Sequence, residues 1–211
     1  MPGSRRIIAV ESSGRRVQGR TFLYVLPCAH EDHAKLGIAT DPMTRMQAFS
    51  TRYFEFFDLD AGWLLEAEAE TGKEARDWET GLKRQLRPHA APAPLLVPDR
   101  AGGRTEWLRG ALPALAQWRE ARVAQGFVAH APLRDWVRTR LQARQERWSH
   151  EVQALVGHFG PPEEWPAAAG CVPLARLRDL LDAHAVLDVA LADAVPAELR
   201  TWHRRNSSVP W

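Results

Sequence analysis

One carboxylate is placed to face the predicted core and could therefore bind a cation. Glu79 follows Ala75 by one turn and precedes Leu82 by one turn, on the apolar stripe of an amphipathic helix. An inward-facing carboxylate is costly unless a positive group pairs with it or a metal ion binds it. The alternative interpretation places Glu79 at the edge of the stripe, with its carboxylate in water.

Two further side chains are of types that act on phosphate oxygens and on water. Arg45 lies one turn before Phe49 in a helix that Asp41 begins, so its guanidinium can lie beside the core or in solvent. Tyr24 lies on a strand that is apolar on both faces, where a tyrosine can position a water molecule or simply fill the core. Tyrosine is rare in this chain, which has only Tyr24 and Tyr53.

Short strands and helices alternate before residue 111, and helical patterns follow it. Predicted strands are 6–11, 22–26, 35–39 and 63–68, and predicted helices are 41–49, 71–87, 115–125, 133–156 and 173–191, with a turn from Pro196. The pattern predicts an α+β fold, in which a small antiparallel β-sheet flanked by helices precedes an all-helical C-terminal region. The expected domains are residues 1–119, with a basic N-terminal arm, and residues 120–211.

Composition and charge narrow the class of protein. The chain has 211 residues, 45% of them hydrophobic, without the run of about eighteen apolar residues that a membrane-spanning helix needs. No secretory signal is visible at the start, and the two cysteines, Cys28 and Cys171, are far apart, which favours a cytoplasmic protein. We therefore expect no membrane partner.

Arginines are concentrated in two segments. Residues 1–20 hold five arginines against one acid, and residues 121–150 hold six against two. Such stretches suit contact with a phosphate backbone. Arginine outnumbers lysine by 25 to 3, however, and a chain-wide bias would produce the same clusters. Residues 151–211 hold eight acids against five arginines, so this leucine-striped segment could instead dock a protein partner.

Five motifs follow one another between Thr21 and Gly110. FLYVL precedes KLGIAT, and DPMTRMQAF, ARDWETGLKRQLRP and GRTEWL come after them. Their order and spacing resemble the GIY-YIG endonuclease superfamily, in its divergent phage-type branch. In that family one strand carries Gly-Ile-Tyr and the next Tyr-Ile-Gly, and in this branch the second often reads Tyr-Lys-Ile-Gly and the domain ends in Glu-Trp-Phe.

The resemblance implies a metal-dependent endonuclease that hydrolyses DNA phosphodiester bonds with Mg²⁺ or Mn²⁺. Glu79 takes the position of the metal-binding glutamate, and Arg45 that of the arginine at the scissile phosphate. Tyr24 takes the position of a tyrosine that orients or deprotonates the attacking water. Lys35 would contact phosphate, and Gly37 would allow close backbone approach beside the catalytic group.

Two departures from the family pattern bear on activity. Lys35 stands where the second motif has its tyrosine, and a lysine is a poor base unless burial lowers its pKa. The asparagine that the family places late in the domain is absent, since the single asparagine is Asn206. Tyr53 or His89 could compensate. These departures keep open a catalytically inactive module that binds nucleic acid or another protein.

Three other groups of residues have types that could bind a metal ion, a phosphate or nucleic-acid bases. Cys28, His30 and His33 could hold a metal ion from one loop, although no second pair follows them and a surface loop is the simpler interpretation. Gly102-Gly103 is too short to cradle a phosphate and predicts a turn. Two tryptophans of the predicted long helix, Trp136 and Trp148, could stack on bases or fill a helical core.

Overall fold

The computed structural model describes residues 20–67, 73–103, 105–190 and 195–210, without the side chains of residues 145–149. The chain divides into two compact units, Met1–Leu133 and Arg134–Trp211. The predicted strand at residues 6–11, the arginines before Arg20 and the Trp148 side chain lie outside this description. Among the described residues the fold is α+β, as predicted.

The first unit is built on an antiparallel sheet. Its described strands are β1 (Thr21–Pro27), β2 (His33–Ala39), β3 (Trp63–Ala67), β4 (Ala90–Ala91), β5 (Trp107–Arg109) and β6 (Ala129–His130). Their order across the sheet is β4-β5-β2-β1-β3-β6. β1 is central and pairs with β2 so that Tyr24 lies opposite Gly37, while Lys35 lies between Leu26 and Trp107.

Helices cover the sheet and carry part of the candidate site. They are α1 (Pro42–Phe49), α2 (Tyr53–Phe56), α3 (Lys73–Gln85) and α4 (Leu112–Ala124). α1 begins where the sequence predicts, because the Asp41 side chain accepts hydrogen bonds from the amides of Met43 (3.1 Å) and Thr44 (3.3 Å), with Pro42 in the first turn. This cap fixes the start of the helix that carries Arg45.

The two faces of β1 and β2 differ in what they bury. One face packs its aliphatic side chains, among them Leu23 and Leu36, in a core cluster with Trp78 and Leu82 of α3. Because side chains alternate along a strand, Tyr24 and Lys35 point to the other face. A tyrosine and a lysine are therefore buried on the face away from the main apolar cluster.

The second unit is helical throughout its described part. Its helices are α5 (Leu133–Ala143, which starts at the division), α6 (Gln145–Phe159), α7 (Val172–Val186) and α8 (Ala197–Asn206). Two buried tryptophans anchor the core, with the Trp165 indole donating to the Gly160 carbonyl (2.7 Å) and the Trp202 indole to the Pro166 carbonyl (3.1 Å). Trp136 is also buried, which agrees with the core-filling alternative.

The prediction that only helices follow residue 111 is wrong. β6 pairs with β3 through Leu64 opposite His130 and Leu65 opposite Ala129, and two residues are too few to show a strand period. The structural division also falls after Leu133 rather than at residue 119. A boundary at 119 would cut α4, whose Leu115 belongs to the core of the sheet.

Three predicted helix boundaries are also corrected. The expected single helix over residues 133–156 is two helices, since Arg144 leaves helical geometry and its amide bonds to the Leu141 carbonyl. α7 ends at Val186, followed by Asp188 at a positive φ of 50°. The turn expected from Pro196 is the start of α8. Among the described residues, no helix is both long enough and apolar enough to cross a bilayer.

Candidate functional site

Tyr24 and Gly37 form a tightly fitted pair across β1 and β2. Tyr24 is buried, with 1% of its surface exposed. A Cβ atom at position 37 would lie 2.4 Å from the Tyr24 hydroxyl oxygen, so only glycine leaves room for the ring. Burial raises the pKa of Tyr24 to about 12, although the nearby Arg45 guanidinium works against it. The phenol is therefore protonated at neutral pH.

Arg45 joins the sheet to a loop. Its Nε donates to the Tyr24 hydroxyl at 3.3 Å, and a second guanidinium nitrogen donates to the Ala101 carbonyl. The guanidinium also lies over the Phe49 ring, 4.4 Å from its centroid. A side chain held on three sides in this way is fixed in orientation.

Lys35 is a fully buried lysine with two acceptors. Its Nζ lies 5.6 Å and 5.7 Å from the ring centroids of Phe49 and Trp107. It donates to the Gly103 carbonyl at 2.8 Å and to the Glu106 carboxylate. Burial lowers the pKa of Lys35 to about 8, opposed by the hydrogen bond to Glu106. Its proton is therefore held less tightly than that of an exposed lysine.

Glu106, Lys83 and Glu79 continue the network toward solvent. Lys83 Nζ lies 3.1 Å from Oε1 of Glu79, one turn away on α3, and 3.1 Å from Oε1 of Glu106. The glutamate side chains are 14% and 24% exposed, respectively. Although partial burial acts in the opposite direction, Lys35 and Lys83 hold the pKa of Glu106 below its usual value. Both carboxylates are thus paired and still reachable by solvent.

Residues 99–103 form a loop segment, the strap, which contacts Arg45 and Lys35. Its Ala101 and Gly103 carbonyls accept from Arg45 and Lys35, respectively. Gly102 and Gly103 have φ of 65° and 68°, so the predicted turn is present. A Cβ at position 103 would lie 2.6 Å from Lys35 Nζ and 3.0 Å from a terminal nitrogen of Arg45. The strap therefore seals one side of the cluster.

The structure connects the residues that the sequence nominated. Tyr24 contacts Arg45 directly, and Glu79 is connected to Lys35 through Lys83 and Glu106. Glu106, Lys83 and the strap were missed as site components. Two signals could have revealed Glu106 and Lys83, respectively: the glutamate of the TEWL motif and the i, i+4 spacing of Glu79 and Lys83.

Among the described residues, no group of three or more His, Cys, Asp or Glu side chains is placed to hold a metal ion. Cys28, His30 and His33 belong to a hairpin turn in which the Cys28 amide donates to the His33 carbonyl at 2.8 Å. Burial raises the pKa of Cys28 to about 12, which does not favour a metal-binding thiolate.

The residues considered as replacements for the missing family groups have other contacts. Tyr53 is buried with its ring edge-on to Phe54, 5.6 Å between centroids. The His89 ring lies 2.8 Å from the Arg109 carbonyl. Asn206 accepts from the Ala168 amide at 2.7 Å in the second unit, where it fixes the end of α8.

Comparison with known proteins adds no family to this description. No protein-family model matches the chain, and no curated protein or solved structure matches it. The site is therefore defined by its own geometry: three cationic side chains, two accessible carboxylates and a phenol, which the strap carbonyls join into one network.

Proposed function

We propose that the first unit is a GIY-YIG-like endonuclease domain that hydrolyses DNA phosphodiester bonds with Mg²⁺ or Mn²⁺. The supporting observation is that four residues distant in sequence lie in two neighbouring sets of contacts. Tyr24 contacts Arg45, and Lys35 is connected to Glu79 through Glu106 and Lys83. The strap contacts both sets, since its carbonyls accept from Arg45 and Lys35. Phosphodiester hydrolysis needs positive charge at the phosphoryl oxygens, a positioned water and help for the leaving oxygen. Side chains suited to each task are present.

Arg45 and Lys35 would contact the phosphoryl oxygens. Arg45 offers a planar fork of donors, and Lys35 offers a fixed ammonium group. The Tyr24 hydroxyl would orient the attacking water, because a phenol whose pKa is about 12 keeps its proton at neutral pH. Lys35, whose pKa is lowered to about 8, is mostly protonated at neutral pH, so it would act there as a cation and not as a base.

The carboxylates of Glu79 and Glu106 suit a divalent cation. Carboxylate oxygens are the ligands that Mg²⁺ prefers, and Lys83 contacts one oxygen of each group at 3.1 Å, so the two carboxylates already converge on one cationic group. Glu79 would hold the cation, with Glu106 beside it. When bound, the ion would supply positive charge to the leaving oxygen.

The test is nicking or linearisation of plasmid DNA by the full chain with Mg²⁺ or Mn²⁺. We expect Glu79→Ala to abolish cleavage, because it removes the carboxylate that would bind the metal. Asp77→Ala, an exposed position on the same helix, is the matched control and should cut like the original protein. The proposal is wrong if the original protein cuts no DNA substrate, or if Glu79→Ala cuts as well as Asp77→Ala.

A second candidate is a module that binds nucleic acid without cutting it. It is favoured by the pairing of both carboxylates with Lys83, which already supplies the charge that a metal ion would bring. Such a module should bind DNA with affinity that falls steeply as salt rises and that survives Glu79→Ala. Docking of a protein partner on residues 151–211 stays a prediction from sequence, and stable co-purification would test it.

A further inference from the structure

The strap carbonyls accept hydrogen bonds from the two side chains that would bind a phosphate. The Ala101 carbonyl accepts from Arg45, and the Gly103 carbonyl lies 2.8 Å from Lys35 Nζ. A carbonyl oxygen and a phosphoryl oxygen satisfy the same kind of donor. The two cationic side chains that would bind phosphate are thus already paired with two oxygens from one short loop.

The strap is attached by few bonds of its own. Ala101 is buried, but Gly102 is exposed. Two of its three backbone hydrogen bonds are long: 3.3 Å from the Gly102 amide to the Asp99 carbonyl and 3.3 Å from the Glu106 amide to the Gly103 carbonyl. The third, from the Ala101 amide to the Pro98 carbonyl, is 2.9 Å. Next to it, Val97 is buried and its amide bonds to the Pro94 carbonyl at 3.0 Å. Lifting the strap would break few backbone bonds.

We propose that the strap is an internal competitor for the phosphodiester site: its Ala101 and Gly103 carbonyls take the places of two phosphoryl oxygens and must leave before DNA can bind Arg45 and Lys35. This inference rests on the proposed function, which makes those two side chains phosphate contacts. DNA affinity is then reduced by the fraction of molecules in which the strap is closed.

Gly103→Ala tests the competition. The added methyl would lie 2.6 Å from Lys35 Nζ, 2.6 Å from a Glu106 oxygen and 3.0 Å from a terminal nitrogen of Arg45. Because it would press on three charged groups at once, we expect the strap to be displaced. Gly102→Ala is the matched control: it has a similar positive φ, but nothing lies within 4 Å of its added carbon. Val97→Ala is a third variant, which weakens the attachment from outside the site.

Two measurements are made on the full chain with EDTA, so that nothing is cut. Hydrogen exchange of the peptide covering residues 99–106 reports strap opening, and fluorescence anisotropy of a short DNA duplex reports affinity. We expect exchange and affinity to rise together. Gly103→Ala should bind about fivefold more tightly than the original chain, and Gly102→Ala and Val97→Ala should show smaller gains.

The outcomes separate this inference from the function itself. The competition is overturned if a variant whose strap peptide exchanges hydrogen faster binds DNA no more tightly than the original chain. It is also overturned if hydrogen exchange of that peptide is unchanged in all three variants. Absence of DNA binding by every variant overturns it as well. Plasmid cleavage with Mg²⁺ tests the enzymatic proposal independently. If DNA affinity rises with hydrogen exchange of the strap but no plasmid is cut, the protein is a DNA-binding module that the strap inhibits. If plasmid is cut but DNA affinity does not rise with exchange, the protein is a nuclease that the strap does not control.

Discussion

Each unit of the protein contains a connected cluster of polar side chains, and the two clusters differ in their access to water. In the first unit, Glu79 and Glu106 keep 14% and 24% of their side chains exposed. In the second unit, Asp182 and His203 are both 0% exposed and lie 2.6 Å apart, and the Ser207 hydroxyl also donates to Asp182. The open cluster can exchange partners, whereas the closed cluster cannot do so without unfolding.

The comparison shows why contacts between polar side chains alone do not identify a site. A buried pair whose partners stay within the core fixes the packing of α7 and α8, because removing one partner takes a hydrogen bond from a buried polar group. A partly exposed pair gains less from its contact and can release it to a ligand. We therefore expect substitutions in the closed cluster to change stability, and those in the open cluster to change binding.

The largest expected effect is the loss of stability in Asp182→Ala. The substitution removes the acceptor of His203 and Ser207 inside the core, so the free energy of unfolding should fall by about 3 kcal/mol. Urea denaturation followed by circular dichroism measures it, with the exposed Glu198→Ala as control. A loss equal to that of the control would contradict the structural role of the closed cluster.

Gly37→Ala should destabilise the first unit by about 2 kcal/mol, because the methyl would overlap the Tyr24 ring. Gly81→Ala is the matched substitution in α3, where nothing lies within 4 Å of the added carbon; it should stabilise the helix by up to about 1 kcal/mol. Thermal unfolding of the two variants gives the sign of each change. Equal effects would show that the tyrosine has room to move.

Glu106→Ala sharpens the comparison with Asp182→Ala. The substitution takes one acceptor from the buried Lys35 ammonium, but the Gly103 carbonyl remains and Lys35 can release its proton. We therefore expect the free energy of unfolding to fall by about 2 kcal/mol, less than in Asp182→Ala. The pKa of Lys35 should fall further, since its hydrogen bond to Glu106 now raises it. DNA affinity measured at pH 7 and pH 8 should weaken more steeply than in the original chain. A stability loss as large as that of Asp182→Ala would erase the distinction between the clusters.

The effect expected to be smallest near neutral pH is a pH dependence assigned to Lys35, whose pKa is lowered to about 8 from 10.5. Between those values the folded chain binds fewer protons than the unfolded chain, so the Lys35 contribution to stability rises with pH. DNA affinity should instead fall as pH rises through about 8, since the ammonium loses its charge. Lys35→Met should remove both differences, measured by urea denaturation and anisotropy from pH 7 to pH 10.

Much of the first unit follows from local signals in the sequence. β1, β2 and β3 were predicted from their apolar runs, and α1 from its Asp-Pro start. β4 and β6 were missed, because strands of two residues depend on pairing with distant strands and have no pattern of their own. The break at Arg144 was missed for a related reason: helical spacing continues across it, and one residue out of helical geometry leaves little trace in the sequence.

The site could be anticipated only in part. Tyr24, Arg45 and Glu79 have types and positions that suggest chemistry, and the family resemblance placed them in order. The sequence does not single out Lys83 and Glu106, because only the folded chain shows that one lysine contacts two carboxylates from different elements. For the strap the sequence predicts only a turn, since a carbonyl that accepts from a distant side chain cannot be recognised in a sequence.

The two-residue strands at both edges of the sheet have a consequence for handling fragments of the chain. Short edges offer few unpaired amides and carbonyls to a neighbouring molecule, which protects a sheet from aggregation. β6 covers Leu64 and Leu65 of the apolar β3. A fragment ending at residue 119 would lack β6 and leave β3 as an open apolar edge, prone to self-association. A fragment that extends through Leu133 would keep that edge covered.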